Sequence, residues 1–542
     1  MSEKIIISVN EGQIRGFKST SFYSGVEYYS FLGVPYGQST AGNARFKDPV
    51  EVQPWNDIFD ATTEKSGCLQ FSLKKKRVTG SEDCLYNNIY TSQIPAKGSP
   101  LKAVIVNLHA GGLFHGSPDP HYYGSAEYVI HRDIVYVSVG FRLHILGHLN
   151  LGLEKCSGNQ SLKDITLSLK WIKANISAFG GDPNNVTILG NSGGAAILHY
   201  LMLSPPAKGL YHKVVVMSGY AFNPALITPT EHISIAHKIA LDLGYQGKIE
   251  DKESLLKFYR ELPMEKLFDL RPEQFYKNKS LVIYPFSPFL PTYEPGENST
   301  MPLRPDKLIP SINRVPVLFG CCEREGVMGL IRPMKESFKN FFTTALRQNA
   351  IGWGKDLTND EIDIINDLIR SFYANGDSVQ TAPLPIKCDI LSDISYSDVY
   401  DSLLNVISAE LPSSVFIYKF QYDGNLCVMK AKIQPNLDEP LQGSFHGADY
   451  SYWCNIEEFV TRDISAISTK DKEMIEMMTN LITTFAKTGN PNYEGIPVQW
   501  KPSTADDPCH LIINDTLELK NELLNGKRME FWHNIKKHFK EE

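Results

Sequence analysis

Ser192 stands in Gly190-Asn191-Ser192-Gly193-Gly194, preceded by the apolar and β-branched run Val186-Thr187-Ile188-Leu189 and followed by a helical run, Ala195 to Leu203. Strand, sharp turn and helix in that order are the setting in which a Gly-x-Ser-x-Gly serine is raised on a strained elbow. The glycines two before and two after it let strand and helix approach without Cβ clashes. The chemistry open to such a serine is nucleophilic attack. A hydroxyl is a weak nucleophile at neutral pH, so it needs a base in hydrogen-bond reach, an acid to orient that base, and amides to receive an oxyanion. The five-residue pattern also arises by chance, and its meaning depends on whether those partners exist.

The expected chain order is serine, acid, histidine. Among fourteen histidines, His446 lies in Gly443-Ser444-Phe445-His446-Gly447-Ala448-Asp449-Tyr450, where flanking glycines suit a loop at the carboxyl edge of a sheet. His199 and His212 are nearer in sequence, but they fall on the helix after the elbow and its exit, where packing or surface roles are expected. For the acid, Glu325 precedes Gly326 just past an apolar strand over 314–320. Glu323 is the rival, and Arg324 between them can pair with either. Oxyanion amides are expected in Asn107-Leu108-His109-Ala110-Gly111-Gly112-Leu113-Phe114, where consecutive glycines let backbone N–H groups converge. Each such donor contributes about 2.7–4 kcal/mol of transition-state stabilisation.

The elements that must position these residues alternate along the chain. Residues 5–36 read as strands with turns at Glu11-Gly12 and Ser24-Gly25, and a strand ends near Thr91. Leu101 to Leu108, Ile134 to Val139 and Lys213 to Met217 are short, mainly apolar runs of the kind buried in parallel sheets. Leu162 to Phe179 carries a helical apolar face that Gly180-Gly181-Asp182-Pro183 ends. Residues 222–310 are helical, acidic and loop-rich without strand rhythm, as expected of a cap-like insertion over the sheet. Further strands are read at Arg314 to Gly320 and Val415 to Tyr422, and helices at Lys472 to Thr488 and Lys527 to Phe539. The fold class expected is therefore α/β: one domain over 1–542, with a large central, mostly parallel sheet flanked by helices and a helical cap.

Composition narrows the rest. A net charge of −7 supplies no electrostatic reason to expect nucleic acid. The basic run Lys74 to Arg77 reads as a solvated loop, and no apolar stretch nears the roughly 18 residues that span a membrane. The N-terminal run Ile5-Ile6-Ile7 is too short for a signal-peptide core, and the C-terminus carries no retention tetrapeptide. Nine cysteines, an odd number without metal-like clustering, fit a reducing compartment. A cytoplasmic protein is expected, so the sequons at Asn159, Asn175, Asn185, Asn278, Asn298 and Asn514 carry no weight. Adjacent Cys321 and Cys322 read as core filling. The serine chemistry calls for no metal or cofactor.

With these residues in order, the chain resembles the type-B carboxylesterases of the cholinesterase/carboxylesterase family, most closely the intracellular insect carboxylesterases of α-esterase type. The resemblance runs through Phe31-Leu32-Gly33-Val34-Pro35-Tyr36, Arg45-Phe46, Ser81 to Tyr86, Phe141-Arg142-Leu143, Gly158 to Asp164, Asn175 to Pro183, Glu325-Gly326, His446-x-x-Asp449, Phe485 to Asn492 and Trp500. It implies an α/β-hydrolase fold and a triad of Ser192, Glu325 and His446, with oxyanion amides from Gly111, Gly112 and Gly193. It also implies framework ion pairs Arg45–Glu82 and Arg142–Asp164, and it matches Cys68 and Cys84 to a family disulfide, while the sequence leaves open whether that pair is oxidised or, in cytosol, reduced. The activity implied is hydrolysis of small aliphatic, aryl and xenobiotic esters through an acyl-enzyme, with organophosphates sequestered on the serine. Hormone or pheromone esterase is the alternative. An inactive adhesion or scaffold relative is disfavoured because all three triad positions are occupied.

Three residues depart from the family pattern. Asn191 stands where Glu or another polar residue is usual, Gly193 where Ala is usual, and Ala110 where the first glycine of the oxyanion run is usual. A left-handed backbone at Ala110 is expected to cost about 1–2 kcal/mol. The stretch Ser66 to Cys84 has no tryptophan, and with neutral Asn191 this removes two groups that attract a quaternary ammonium. Choline esters are not expected substrates.

Overall fold

Val104, Val106 and Leu108 face one hydrophobic core while Ala103 and Ile105 face another, and all are buried. The two-residue period of a strand forces this alternation, so an apolar run with no polar face needs a layer on each side. Ile188 and Leu189 divide between the same two cores. The computed structural model describes residues 3–72, 75–221, 232–268, 289–294, 299–303, 305–330, 342–343, 345–347, 350, 355, 357–397, 404, 414–456 and 463–540.

Twelve strands lie along the main sheet: β1 (Lys4–Val9), β2 (Gly12–Thr20), β3 (Glu27–Pro35), β4 (Tyr86–Thr91), β5 (Lys102–Leu108), β6 (Val135–Val139), β7 (Gly181–Asn191), β8 (Lys213–Met217), β9 (Val317–Cys322), β10 (Val415–Phe420), β11 (His510–Ile513) and β12 (Leu517–Lys520). Their order is β1-β2-β3-β4-β6-β5-β7-β8-β9-β10-β11-β12. From β6 to β11 every pairing is parallel. The β1 to β6 arm and the closing β11–β12 hairpin are antiparallel. The order reverses at β5 and β6, and β5, β7, β9 and β10 all end on the same edge. In open α/β sheets that carboxyl edge is where sites assemble.

Strand limits differ from the sequence reading where the ladder demands it. β9 begins at Val317 rather than Arg314, because Pro316 has no N–H for the ladder and only accepts, from Val214 N at 3.0 Å. The hairpin β11–β12 was not anticipated from sequence; its two four-residue strands are too short for alternation to stand out.

The helices follow from their stop signals. Helix α1 (Gln160–Asn175) passes into a 3-10 turn, Ile176–Phe179, ended by Gly180 at φ 84°. Elbow helix α2 (Gly193–Leu203) is buried along its whole length. Of the cap-like insertion expected over 222–310, residues 222–231, 269–288, 295–298 and 304 lie outside the described residues, as do sequons Asn278 and Asn298. The described part holds helices α3 (His232–Asp242) and α4 (Lys252–Glu261). A later helix, α5 (Leu384–Ser392), packs over the turn after β9, and α6 (Thr469–Thr488) starts on a Ser468 cap that accepts from Asp471 N at 3.1 Å. Such a cap contributes about 1 kcal/mol. The chain closes with α7 (Lys527–Lys540).

Both framework ion pairs form. Arg142 holds Asp164 through Nε at 2.9 Å and Nη2 at 2.6 Å, with both side chains buried. Arg45 grips Glu82 at 2.6 and 2.8 Å, and its Nη1 also donates to the carbonyls of Arg260 and Leu262 at 3.0 Å. It thereby ties the end of α4 to the body of the fold. Two charges taken from water are tolerated here because the planar fork of arginine satisfies several acceptors at once. Cys68 and Cys84, the pair that the resemblance implies, are joined by a disulfide. The other seven cysteines are free and buried. No helix among the described residues is long and apolar enough to cross a membrane.

Candidate active site

Strand β7 delivers Asn191 to the sheet edge, and the chain turns at Ser192 with φ 55° and ψ −120° before entering α2. For a residue with a side chain this backbone costs about 1–3 kcal/mol, and the surroundings must hold it. They do so through Ser192 N donating to Met217 O at 2.8 Å and Ala196 N donating to Ser192 O at 3.0 Å. Neighbouring glycines make the room. A Cβ at Gly194 collides with the Leu108 carbonyl, and one at Gly219 with the Ser192 carbonyl. The elbow is thus clamped between the ends of β5 and β8. Asn191 is buried and donates from Nδ2 to Met217 O at 3.3 Å.

Glu325 opens a short 3-10 turn, Glu325–Gly329, directly after β9. Its Oε1 accepts from Cys322 N at 2.7 Å, which folds the carboxylate back toward the strand end. Gly326 N donates to Ser392 Oγ of α5 at 2.8 Å, fixing the turn from behind. His446 comes from the loop after β10. Its Nδ1 lies 2.5 Å from Glu325 Oε2, and its Nε2 lies 2.8 Å from Ser192 Oγ. A carboxylate can only accept, so Nδ1 carries the proton and Nε2 is free to accept from the serine hydroxyl. Glu325 and His446 are both buried. The structure therefore brings together the three residues that the sequence placed at 192, 325 and 446.

Glu323 is not in this line. Its side chain turns toward Arg324 at 3.6 Å, and Arg324 also holds Asp389 of α5 at 2.9 Å. The neighbouring arginine pairs with neither side of the Glu325–His446 contact. His199 and His212 are likewise elsewhere: His199 Nδ1 accepts from Ala221 N and His212 Nδ1 from Val186 N, each at 3.1 Å. Cys321 and Cys322 are buried and their thiols are pushed well up by burial, which suits packing rather than reaction.

The loop after β5 brings Gly111 (φ 121°) and Gly112 (φ 61°) beside α2. Ala110 is not among the residues with positive φ, so the expected penalty there does not apply; the left-handed position is Leu113, at φ 65°. His109 pins the loop base. Its ring stacks on Phe141 with centroids 4.3 Å apart, and Nδ1 donates to Ala110 O at 2.9 Å. Burial pushes His109 down to about 4, keeping it neutral in that contact.

Two features of the site were not read from sequence. Ser444 Oγ accepts from Glu323 N at 3.0 Å and donates to Phe420 O at 2.5 Å. Asp449 is buried behind the dyad, accepts from Tyr418 OH and Tyr450 N at 2.8 Å each, and is pushed up to about 6 by burial and then by the charge of Glu325. Both contacts join segments far apart in the chain, so only the quoted motif His446-x-x-Asp449 hinted at the second. Among the described residues no cluster of three or more His, Cys, Asp or Glu side chains could hold a metal ion.

The chain is similar to known proteins over nearly its whole length. It is 31% identical to Esterase E4 of Myzus persicae over 512 residues, covering 92% of this chain and 88% of that protein. It is 26% identical to juvenile hormone esterase of Heliothis virescens, covering 91% and 87%. The crystal structure of juvenile hormone esterase from Manduca sexta, with OTFP covalently attached, superposes with a TM-score of 0.82 at 25% identity, covering 98% of this chain and 99% of that one. The fold is that of an α/β-hydrolase. Residues 3–532 match the family described as the carboxylesterase family, and the chain belongs to it.

Proposed function

We propose that Ser192 is the nucleophile of this carboxylic ester hydrolase, with His446 as general base and Glu325 as the group that orients it. The observation that carries the reading is the bridging position of His446, 2.8 Å from Ser192 Oγ and 2.5 Å from Glu325 Oε2. Ser192 Oγ attacks the ester carbonyl as its proton passes to His446 Nε2, and Glu325 stabilises the imidazolium. Amides of the Gly111-Gly112 loop and of Gly193 receive the oxyanion. Collapse expels the alcohol, which takes the proton from His446. Water then attacks the acyl-enzyme by the same route in reverse.

The substrates proposed are small aliphatic, aryl and xenobiotic esters, with detoxification as the role and organophosphates held on Ser192 as suicide ligands. Similarity to Esterase E4 supports ester hydrolysis as the reaction, and the substrate class and the role are carried by the resemblance in the sequence. Hormone esterase is the second reading, favoured by the 0.82 TM-score to a juvenile hormone esterase. A cytoplasmic location remains a proposal from the sequence, and the bonded Cys68–Cys84 pair weighs against it. The test is turnover of a 4-nitrophenyl ester series, with and without an organophosphate, followed by mass mapping of the adduct. No turnover and no adduct on Ser192 sinks the assignment. Turnover of a long-chain hormone-like ester far above that of aryl esters moves it to the second reading.

A further inference from the structure

Helix α5 runs directly into a single π-helical turn, Asp393–Ser397, which carries Tyr396. Single π turns are rare and are frequent at functional sites. The anchor of this one is Asp393, which is buried and accepts from Tyr373 OH at 2.8 Å, from Asn525 Nδ2 at 2.8 Å and from Arg528 Nε of α7 at 2.9 Å. Asn525 Nδ2 also donates to Ser397 Oγ at 2.7 Å, so both ends of the turn are tied to the start of α7. Held in this way, the Tyr396 ring lies against His446, with centroids 5.6 Å apart and planes inclined by 52°. It also meets Tyr220, with centroids 6.4 Å apart and planes at 74°. Tyr220 is buried and follows Gly219, whose missing side chain admits the Ser192 carbonyl.

Both nitrogens of His446 are taken in the ring plane, by Glu325 and by Ser192, so a further group can act on the ring only through its faces or its carbon edge. We infer that Tyr396 is a positioning residue for His446: its π system holds the imidazole in line and attracts the positive charge that the ring acquires when it takes the serine proton. The inference rests on Ser192 and His446 acting as nucleophile and base. In that step Ser192 Oγ bonds the carbonyl carbon, the π pair of the carbonyl moves to its oxygen, and the proton passes to Nε2. The imidazole is neutral before the step and cationic after it. An interaction with its charge is therefore stronger in the transition state than in the ground state, and it lowers the barrier. An aromatic ring attracts a cation within about 6 Å of its centroid, more strongly away from water. The separation of 5.6 Å meets that limit, with His446 buried and Tyr396 partly so. The other ionisable groups that act on the imidazole are the carboxyls of Glu325 and of buried Asp449, and both remain when Tyr396 is replaced.

The test replaces the ring at this position in the full chain and follows hydrolysis of 4-nitrophenyl acetate. Tyr396→Leu is expected to lower kcat about tenfold with KM within about twofold, because the substrate still binds and only the step that creates charge loses its partner. Tyr396→Phe keeps the ring and is expected to recover most of that loss. A Tyr396→Phe protein whose new ring carries three fluorines has almost the same shape but a face drained of negative charge. Its kcat is expected to fall several-fold, toward that of Tyr396→Leu. Equal kcat with the plain and the fluorinated ring overturns the inference, because a ring that only fills space is indifferent to its charge distribution. Unchanged kcat in Tyr396→Leu overturns it as well, and so does a Tyr396→Phe protein as slow as Tyr396→Leu, which moves the effect to the hydroxyl. If Tyr396→Leu fails to fold, the plain and fluorinated rings alone decide. Titration of Ser192 with an organophosphate in every variant separates a slowed nucleophile from an absent one. A wild type that neither forms the adduct nor turns over the ester overturns the nucleophile assignment and the role of Tyr396 together.

Discussion

Arg324 and Phe445 form a parallel β-bridge, each one residue before a member of the site: Arg324 before Glu325 and Phe445 before His446. Arg324 N donates to Ser444 O at 2.9 Å, and Ser444 Oγ clips both Glu323 N and Phe420 O. The bridge sets where each chain stands as it leaves the sheet, and so sets the carboxylate-to-imidazole distance. Ser444→Ala removes the clip without touching the site. It is expected to lower kcat about tenfold with little change in KM, and Ser444→Thr is expected to recover part of the loss. Stopped-flow acylation rates across pH 5–9 check this, and equal rates in Ser444→Ala would rule the clip out.

The acid is distinguished by direction rather than by position in sequence. Glu325→Gln is expected to reduce kcat by about three to four orders of magnitude, because the amide no longer holds Nδ1–H as the orienting carboxylate does. Glu323→Gln, which loses only its 3.6 Å contact to Arg324, is expected to cost less than about tenfold. Steady-state kinetics of the pair decide between them, and the reverse ranking would move the acid.

Ala110 has no strained backbone for glycine to relieve. Ala110→Gly is therefore expected to leave kcat no lower than about half of wild type, and to lower stability by about 1 kcal/mol through added freedom in the unfolded chain. Urea unfolding alongside turnover measures both. A gain of stability would mean that the loop is left-handed at this residue after all.

Asp449 supplies a pH signature. Its carboxyl is raised to about 6 by burial, then by Glu325, above its ordinary value of 3.8. For a raised carboxyl the favourable contribution is complete below the unfolded value and is lost as pH rises through about 6. Asp449→Asn removes that loss. Relative to wild type, the variant is expected to gain about 2 kcal/mol between pH 4 and pH 8, whatever constant offset its altered contacts to Tyr418 and Tyr450 introduce. Denaturant titrations at several pH values test the slope, and a flat difference would contradict the buried charge.

The Cys68–Cys84 bond closes a loop with a sequence separation of 16. A loop of that size contributes about 3 kcal/mol by restricting the unfolded chain. The double substitution Cys68→Ser with Cys84→Ser is expected to lower stability by that order. Mass spectrometry of the native protein under non-reducing alkylation reports whether the bond is present, and recovery of nine alkylated cysteines would return the protein to the reducing compartment read from its sequence.

Much of this protein was legible locally. The elbow follows from glycines on either side of Ser192 between an apolar run and a helical one, and the parallel strands follow from runs such as Lys213 to Met217 that leave no face for water. The order of serine, acid and histidine and the glycine loop near residue 111 are properties of the chain itself, because backbone freedom and hydrophobic period act within a few residues. What only the tertiary structure decided is direction. Whether Glu323 or Glu325 faces His446 depends on how β9 registers with a loop 121 residues away in sequence. Whether Ala110 or Leu113 bears the left-handed turn depends on how the oxyanion loop packs on α2. A side chain leaving the end of a strand can point either way at almost equal local cost. Contacts between distant segments choose between the two.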